Sequence, residues 1–446
     1  MFDTILKKHN CEVFISDIST TECPLDINAS YTKSVRESGY TIRTLKNNRL
    51  GSSSSNIFDT ESIKKTLKNS LDSAGHSNKL PKGFSFTGTE GSTKVRKCHD
   101  KNISKNPETI ASDLREICAK RALEANVNLT NGKIRLTEFE YTITNSLGIE
   151  KKEKGTYILA MIDSKADTKK QVSELTSTYI RRIYDKSDFL DWFDKTLKTT
   201  ARFIEPSKLK SGTYDIILNP GVIGPLLTDT IGYWSSAKSR IDGISLFEGK
   251  ENTTVAAETF SATDDPAYPD APSTFGIDME AQKTKKTDII KDGIFSNYFY
   301  DNRYSSYFNT KSTGNSKKAA YTGPEYIYNS SGFCGPNNLV IKEGKEHLSS
   351  MLKDFTGVFI EAVGIPSADR ETGNFGFELR NAFLVEKGEM RPVRYGIYSG
   401  RVQDIIKSVS WLSKEREISA DRMAPEFNSA CISPYFLLKD QKISGE

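Results

Sequence analysis

Apolar residues recur every fourth position at Ile63, Leu67 and Leu71, behind a cap at Asp59 or Thr60 and ahead of Gly75. That spacing predicts one amphipathic helix. Upstream, residues 39–50 alternate as two strands turning at Asn47 and Asn48, and a Ser-rich loop is expected over 51–55. A second helical pattern opens after Asn106 and Pro107, with Ile110, Leu114, Cys118 and Ala122 on one face and Ile117 beside them. Residues 133–145 read as a strand that turns at 146–148. Its partner over 154–164 carries Tyr157, Leu159 and Met161 on one face and Ile158, Ala160 and Ile162 on the other, so both faces are expected to be covered. Phe189, Trp192, Leu197 and Ala201 predict a helix over 187–204.

Farther on, the short apolar run 214–218 leads into Asn219, a cap residue, and Pro220, which suits the first helical position because no amide hydrogen bond is lost there. A strand feeding a helix is predicted. Short apolar runs at 339–341, 357–363, 375–377 and 382–385 are separated by Gly-containing turns, the pattern of an antiparallel sheet or barrel, with a further helix over 402–412. The segment 264–274, DDPAYPDAPST, is rich in Pro and Asp and is expected to be a surface loop near a groove. Phe295, Tyr298, Phe299, Tyr300, Tyr304, Tyr307 and Phe308 fit either core packing, the ordinary reading, or the wall of a peptide groove. The fold class is therefore α+β: N-terminal α/β units, then a large, mainly antiparallel β-sheet or barrel-like domain. The expected division is 1–76, a connector over 77–105, a middle α/β domain over 106–206 and the β-rich domain over 207–446.

Composition narrows the function classes. A chain of 446 residues exceeds one ordinary core. Its 62 basic and 58 acidic residues leave a formal charge of +4, and the basic runs at 94–97 and 283–286 are short, so nucleic acid is not indicated. The opening residues MFDTILKKHN lack an apolar core of secretory length, and no apolar run approaches the roughly 20 residues of a spanning helix. A cytoplasmic location is expected, with no membrane partner. Cys11, Cys23, Cys98, Cys118, Cys334 and Cys431 are scattered without CxxC spacing, which suits reduced thiols. Cys98 and His99 are adjacent, but two ligands do not make a metal site.

The run LNPGVIGPLLTDTIGY resembles the segment of the TldD and TldE (PmbA) family in which the proteolytic member carries His-Glu-Ala-x-Gly-His. Aligned on Leu226, Leu227 and Gly232, the two histidine positions fall on Thr228 and Tyr233 and the glutamate position on Asp229. Three further segments resemble the family in order: TIRTLKNNRLG near Leu50, KDGIFSNYFYDNRYSSYFNTKSTGNS over 291–316, and the Gly-rich strands of 357–394. TNSLGIEKKEKGTYILAMI is similar to the family's middle domain. The resemblance spans roughly residues 30–445 and points to a TldE-type member.

The resemblance implies a catalytically silent subunit that pairs with a TldD-like zinc protease to degrade small or unfolded peptides, as a heterodimer or homodimer. No cofactor is then expected in this chain, with zinc in the partner. Catalytic zinc takes nitrogen or thiolate ligands and an activating carboxylate, and a Thr hydroxyl and a Tyr phenol are poor substitutes. Cys431 lies near the place of the protease's third ligand and is a weak candidate for metal, with an inert buried thiol favoured. Two alternatives remain: a peptidase with displaced ligands drawn from Cys431, Asp229, Glu248 and His347, or a regulatory binding protein of the DNA gyrase modulator kind.

Overall fold

The computed structural model describes residues 2–25, 31–167, 172–203 and 205–446. The expected helix end at Ile204 lies outside them. The N-terminal half is one antiparallel sheet. Strands β1 (Cys11–Pro24), β2 (Lys33–Lys46), β3 (Arg49–Ser55), β4 (Asn128–Asn145), β5 (Glu150–Asp167) and β6 (Val172–Arg181) are ordered β3-β2-β1-β4-β5-β6 among the described residues. Asn47 and Asn48 take φ of 52° and 57°, the left-handed pair that a tight hairpin needs and that asparagine tolerates.

The Ser-rich loop expected over 51–55 is in fact β3, paired with β2 from Tyr40↔Ser55 to Lys46↔Arg49. No side chain fits at Gly51, because helix α1 (Thr60–His76) lies directly on the strand there: a Cβ would sit 2.0 Å from the Ser70 carbonyl. Asp59 caps α1 by accepting from the Ser62 amide at 2.7 Å.

Both faces of the long β4–β5 pair are covered. Helices α2 (Pro107–Glu124) and α3 (Lys186–Arg202) pack Ile110, Leu114, Cys118, Phe189 and Phe193 on Ile158, Ala160 and Ile162. The opposite face, with Phe139, Tyr157 and Leu159, receives Phe275, Ile277 and Phe427 from the C-terminal half. The segment expected as a surface loop is the start of this contact, and residues 271–282 are all buried. Its acidic residues serve its own backbone and neighbours instead of water. Asp264 accepts from the Asn315 and Asn337 side chains at 2.6 and 3.1 Å, and Asp270 accepts from the Arg182 and Ile183 amides at 2.8 Å.

Arg182 fastens the two halves together. Its side chain is fully buried and donates to the carbonyls of Thr156, Thr274 and Cys98 at 2.9, 2.7 and 2.8 Å. The guanidinium also lies 4.8–5.1 Å from the ring centroids of Phe139, Tyr157 and Phe275.

The C-terminal half contains a closed barrel. Strands β7 (Gly212–Leu218), β8 (Thr356–Val363), β9 (Asn374–Glu386), β10 (Ile397–Arg401) and β12 (Ala430–Ser444) pair in the ring β7-β8-β9-β10-β12-β7. Strand β11 (Val409–Ala420) pairs with β12. The β7–β8 pair is parallel, whereas most of the ring is antiparallel. The helix expected over 402–412 ends at Ser408, because Val409 and Leu412 join the ladder with Leu438 and Phe436. Phe295, Tyr298, Phe299 and Tyr304 are core residues, packed with the helix α4 (Pro220–Trp234) that follows β7. Among the described residues, no helix is long and apolar enough to cross a membrane.

Arg182→Met keeps much of the side-chain volume but leaves the Thr156 and Thr274 carbonyls without their Arg182 donor and the Cys98 carbonyl with the Thr156 amide alone, so it is expected to lower unfolding stability by about 3 kcal/mol in urea titrations, with Arg182→Lys losing less.

Candidate cleft along helix α4

Asn219 caps α4 by accepting from the Gly221 amide at 2.7 Å, and Pro220 occupies the first turn. The helix approaches β11 and β12 unusually closely. A Cβ on Gly224 would lie 2.0 Å from Ser419 Oγ and 3.3 Å from Cys431 Cβ. Its other end is tied by Trp234 Nε1, which donates to the Arg370 carbonyl at 2.7 Å. Apolar residues Val222, Ile223, Leu226, Leu227 and Ile231 are buried in the core, and this leaves Pro225, Thr228, Asp229, Gly232 and Tyr233 facing a cleft of about 820 Å³.

The three positions singled out from the sequence therefore lie together. The Thr228 hydroxyl donates back to the Gly224 carbonyl at 3.1 Å. Asp229 accepts from the Ala368 amide at 3.4 Å and from Arg370 Nη2 at 3.3 Å. Burial pushes the Asp229 carboxyl up from its ordinary pKa, with Arg370 acting the other way, and burial likewise raises the Tyr233 phenol.

Cys431 is close in space but sealed off. It is fully buried on β12 beneath the first half of α4, and burial holds its thiol well above the ordinary range. A metal ligand would have to be the thiolate. The donors assembled here, a self-bonded hydroxyl, a carboxylate held by arginine, a phenol and a protonated thiol, do not fit zinc. Among the described residues, no group of three or more His, Cys, Asp or Glu is placed to hold a metal ion.

The remaining sequence candidates lie elsewhere. His347 pairs with Glu415 through Nδ1 at 2.8 Å, and Glu248 is exposed; neither lines the cleft. His99 Nε2 contacts Glu138 at 3.4 Å and Ser104 at 3.3 Å, while the Cys98 carbonyl serves Arg182. The aromatic block of 295–308 does not line the cleft either. Its exposed apolar surface comes instead from Tyr321, Tyr326, Ile365 and Met423, which are 59%, 40%, 76% and 74% accessible. None of these four stands out in the sequence, because the short segments that carry them have no periodic signal.

A second cavity of about 400 Å³ adjoins the first, sharing Pro225, Pro366, Ser419, Ala420 and Arg422 with it. Its walls include 175–179 of β6 and 416–420 of β11. Among the described residues, β6 pairs with β5 and β11 with β12, so each stretch presents one unpaired strand edge.

Residues 211–445 match the PmbA/TldA metallopeptidase C-terminal domain, and residues 30–74 match domain 1 of the same group. The chain belongs to the PmbA/TldD family. It is 24% identical over 412 residues to an uncharacterized protein of Methanocaldococcus jannaschii, covering 90% of this chain and 91% of the relative. It is 23% identical to a zinc metalloprotease TldD homolog of Saccharolobus solfataricus, with 77% and 78% of the two chains covered. The crystal structure of TldE from Thermococcus kodakarensis superposes with a TM-score of 0.87 at 20% identity, covering 100% of this chain and 98% of that one, and shares the PmbA/TldD fold.

Two outcomes test this geometry. Gly224→Ala is expected to lower stability by about 1–3 kcal/mol in denaturant titrations, and adding Ser419→Ala should recover part of the loss. For Asp229, the folded pKa lies above the unfolded one, so its charge costs stability above the folded pKa and that cost vanishes as pH falls through it. Asp229→Asn should therefore raise the unfolding midpoint at neutral pH, with the gain shrinking as pH drops toward the ordinary aspartate value of about 3.9.

Proposed function

We propose that this chain is a TldE-like, non-catalytic subunit that pairs with a TldD-like zinc protease and contributes a peptide-binding surface to the degradation of small or unfolded peptides. The observation that carries this reading is the cleft face of α4, which presents Thr228, Asp229 and Tyr233, with Asp229 engaged by Arg370, at the positions that the family resemblance aligns with the protease's two histidines and glutamate. With that donor set, water activation by zinc falls to the partner.

The unpaired edges of β6 and β11 supply a means of holding peptide with little sequence selectivity. An extended segment that pairs with such an edge gains main-chain hydrogen bonds, and the apolar side chains beside the cleft receive its alternate residues. The free, mostly buried cysteines suit a reducing cytoplasm, where such a pair would work.

Co-expression with a family member carrying His-Glu-x-x-x-His tests the assignment. The expected result is a stable complex with peptidase activity that neither chain shows alone and that Asp229→Ala leaves nearly unchanged. Loss of activity in a folded Asp229→Ala complex, or activity of this chain by itself, would contradict it.

A further inference from the structure

Arg422 stands where the two cavities meet and lines both. The other cations along these walls are engaged: Arg181 with Asp188 at 3.1 Å, Lys195 with Glu417 at 2.5 Å, Arg416 with Glu343 at 2.8 Å, Arg370 with Asp229 at 3.3 Å, and Lys238 with Asp242. Among the described residues, the Arg422 guanidinium makes no hydrogen bond and no ion pair. Its chain neighbour Asp421 is turned into its own loop, accepting from the Met423 amide at 2.7 Å and Asn428 Nδ2 at 3.1 Å. Asp163, the carboxylate that acts on Arg422 from a distance, is already bonded by Thr176 Oγ1 at 2.7 Å and Asn131 Nδ2 at 3.1 Å.

A partly buried guanidinium with no ion-pair partner in contact is costly, and burial pushes the Arg422 pKa below the ordinary arginine value, the more distant Asp163 acting against this. Its planar fork is matched by a carboxylate, which accepts two parallel hydrogen bonds. Apolar side chains stand near it among the polar ones: Met423 follows directly, and Ile365 lies on the same cleft. The combination selects a ligand with a carboxylate next to apolar side chains.

We propose that Arg422 is a carboxylate-binding residue that anchors an extended apolar peptide at the junction of the two cavities. The carboxylate comes from the peptide's C-terminus or from an acidic side chain, the chemistry at Arg422 being the same. This rests on the reading of the cleft as a peptide surface, and it adds a charged anchor to the main-chain pairing proposed there.

The test uses the full chain and N-terminally fluorescein-labelled Ala-Val-Ala-Val-Ala in three forms: free acid, C-terminal amide, and amide with a central Glu. Fluorescence anisotropy is expected to show one carboxylate-bearing form binding about tenfold more tightly than the plain amide. A tighter free acid assigns the chain terminus, and a tighter Glu-containing amide assigns the side chain. Arg422→Gln should abolish the preference while retaining binding of the plain amide, and Arg422→Lys should keep part of it. Equal binding of all three peptides by the unaltered protein would overturn the anchor and leave the peptide surface standing, as would a preference that persists in Arg422→Gln. Binding of no peptide would overturn the peptide surface and the anchor together.

Discussion

The buried guanidinium of Arg182 is the contact on which the arrangement of the two halves depends. It is satisfied by three main-chain carbonyls and three aromatic faces, without a carboxylate at hydrogen-bond distance. Those carbonyls belong to β5, to the buried 271–282 segment and to the segment before α2, so one side chain fixes three separate stretches of chain. Phe427 completes the assembly, its ring centroid 4.7 Å from that of Phe139 and its amide accepted by the Tyr157 hydroxyl oxygen at 3.2 Å. Because Arg182 directly follows β6, locking it also sets where the open edge of β6 stands relative to β11 and the cavity between them.

Close packing at Gly224 does the equivalent work inside the C-terminal half. It lets α4 lie on β11 and β12, which buries Cys431 beneath the helix and turns Thr228, Asp229 and Tyr233 toward the cleft. The chemical outcome follows from the residues placed there. An arginine-paired aspartate and a protonated thiol are stable without a metal, whereas two imidazoles and a glutamate in the same positions would form the beginnings of a zinc site. On the proposed reading, the same backbone serves either a catalytic or a binding surface, depending on a few side chains.

Much of the fold was legible in the sequence wherever one face of an element is buried and periodicity records it. The α1 spacing, the Asn47–Asn48 turn, the two-faced β5 and the strand-to-helix passage into α4 are of this kind. The departures have a common cause, which is tertiary contact overriding local composition. Residues 51–55 form β3 because they pair with β2 and Gly51 lets α1 lie on the strand, a Pro- and Asp-rich stretch enters the interior because its carboxylates find amide donors, and residues 409–412 leave a helical pattern to pair with β12. Nothing local distinguishes Arg182, which is buried, from Arg181, which pairs with Asp188. In the cleft, the α4 positions were singled out through the family resemblance alone, whereas Arg370, Arg422 and the exposed Ile365 and Met423 come from loops whose spatial meeting no periodicity encodes.

The claim that this chain holds no catalytic zinc is tested most directly by elemental analysis of untagged protein purified alone. Near-zero zinc per chain is the predicted result. One tightly held zinc per chain, surviving exhaustive dialysis against a chelator, would contradict the account of the α4 cleft and return Cys431 and His347 to consideration as ligands.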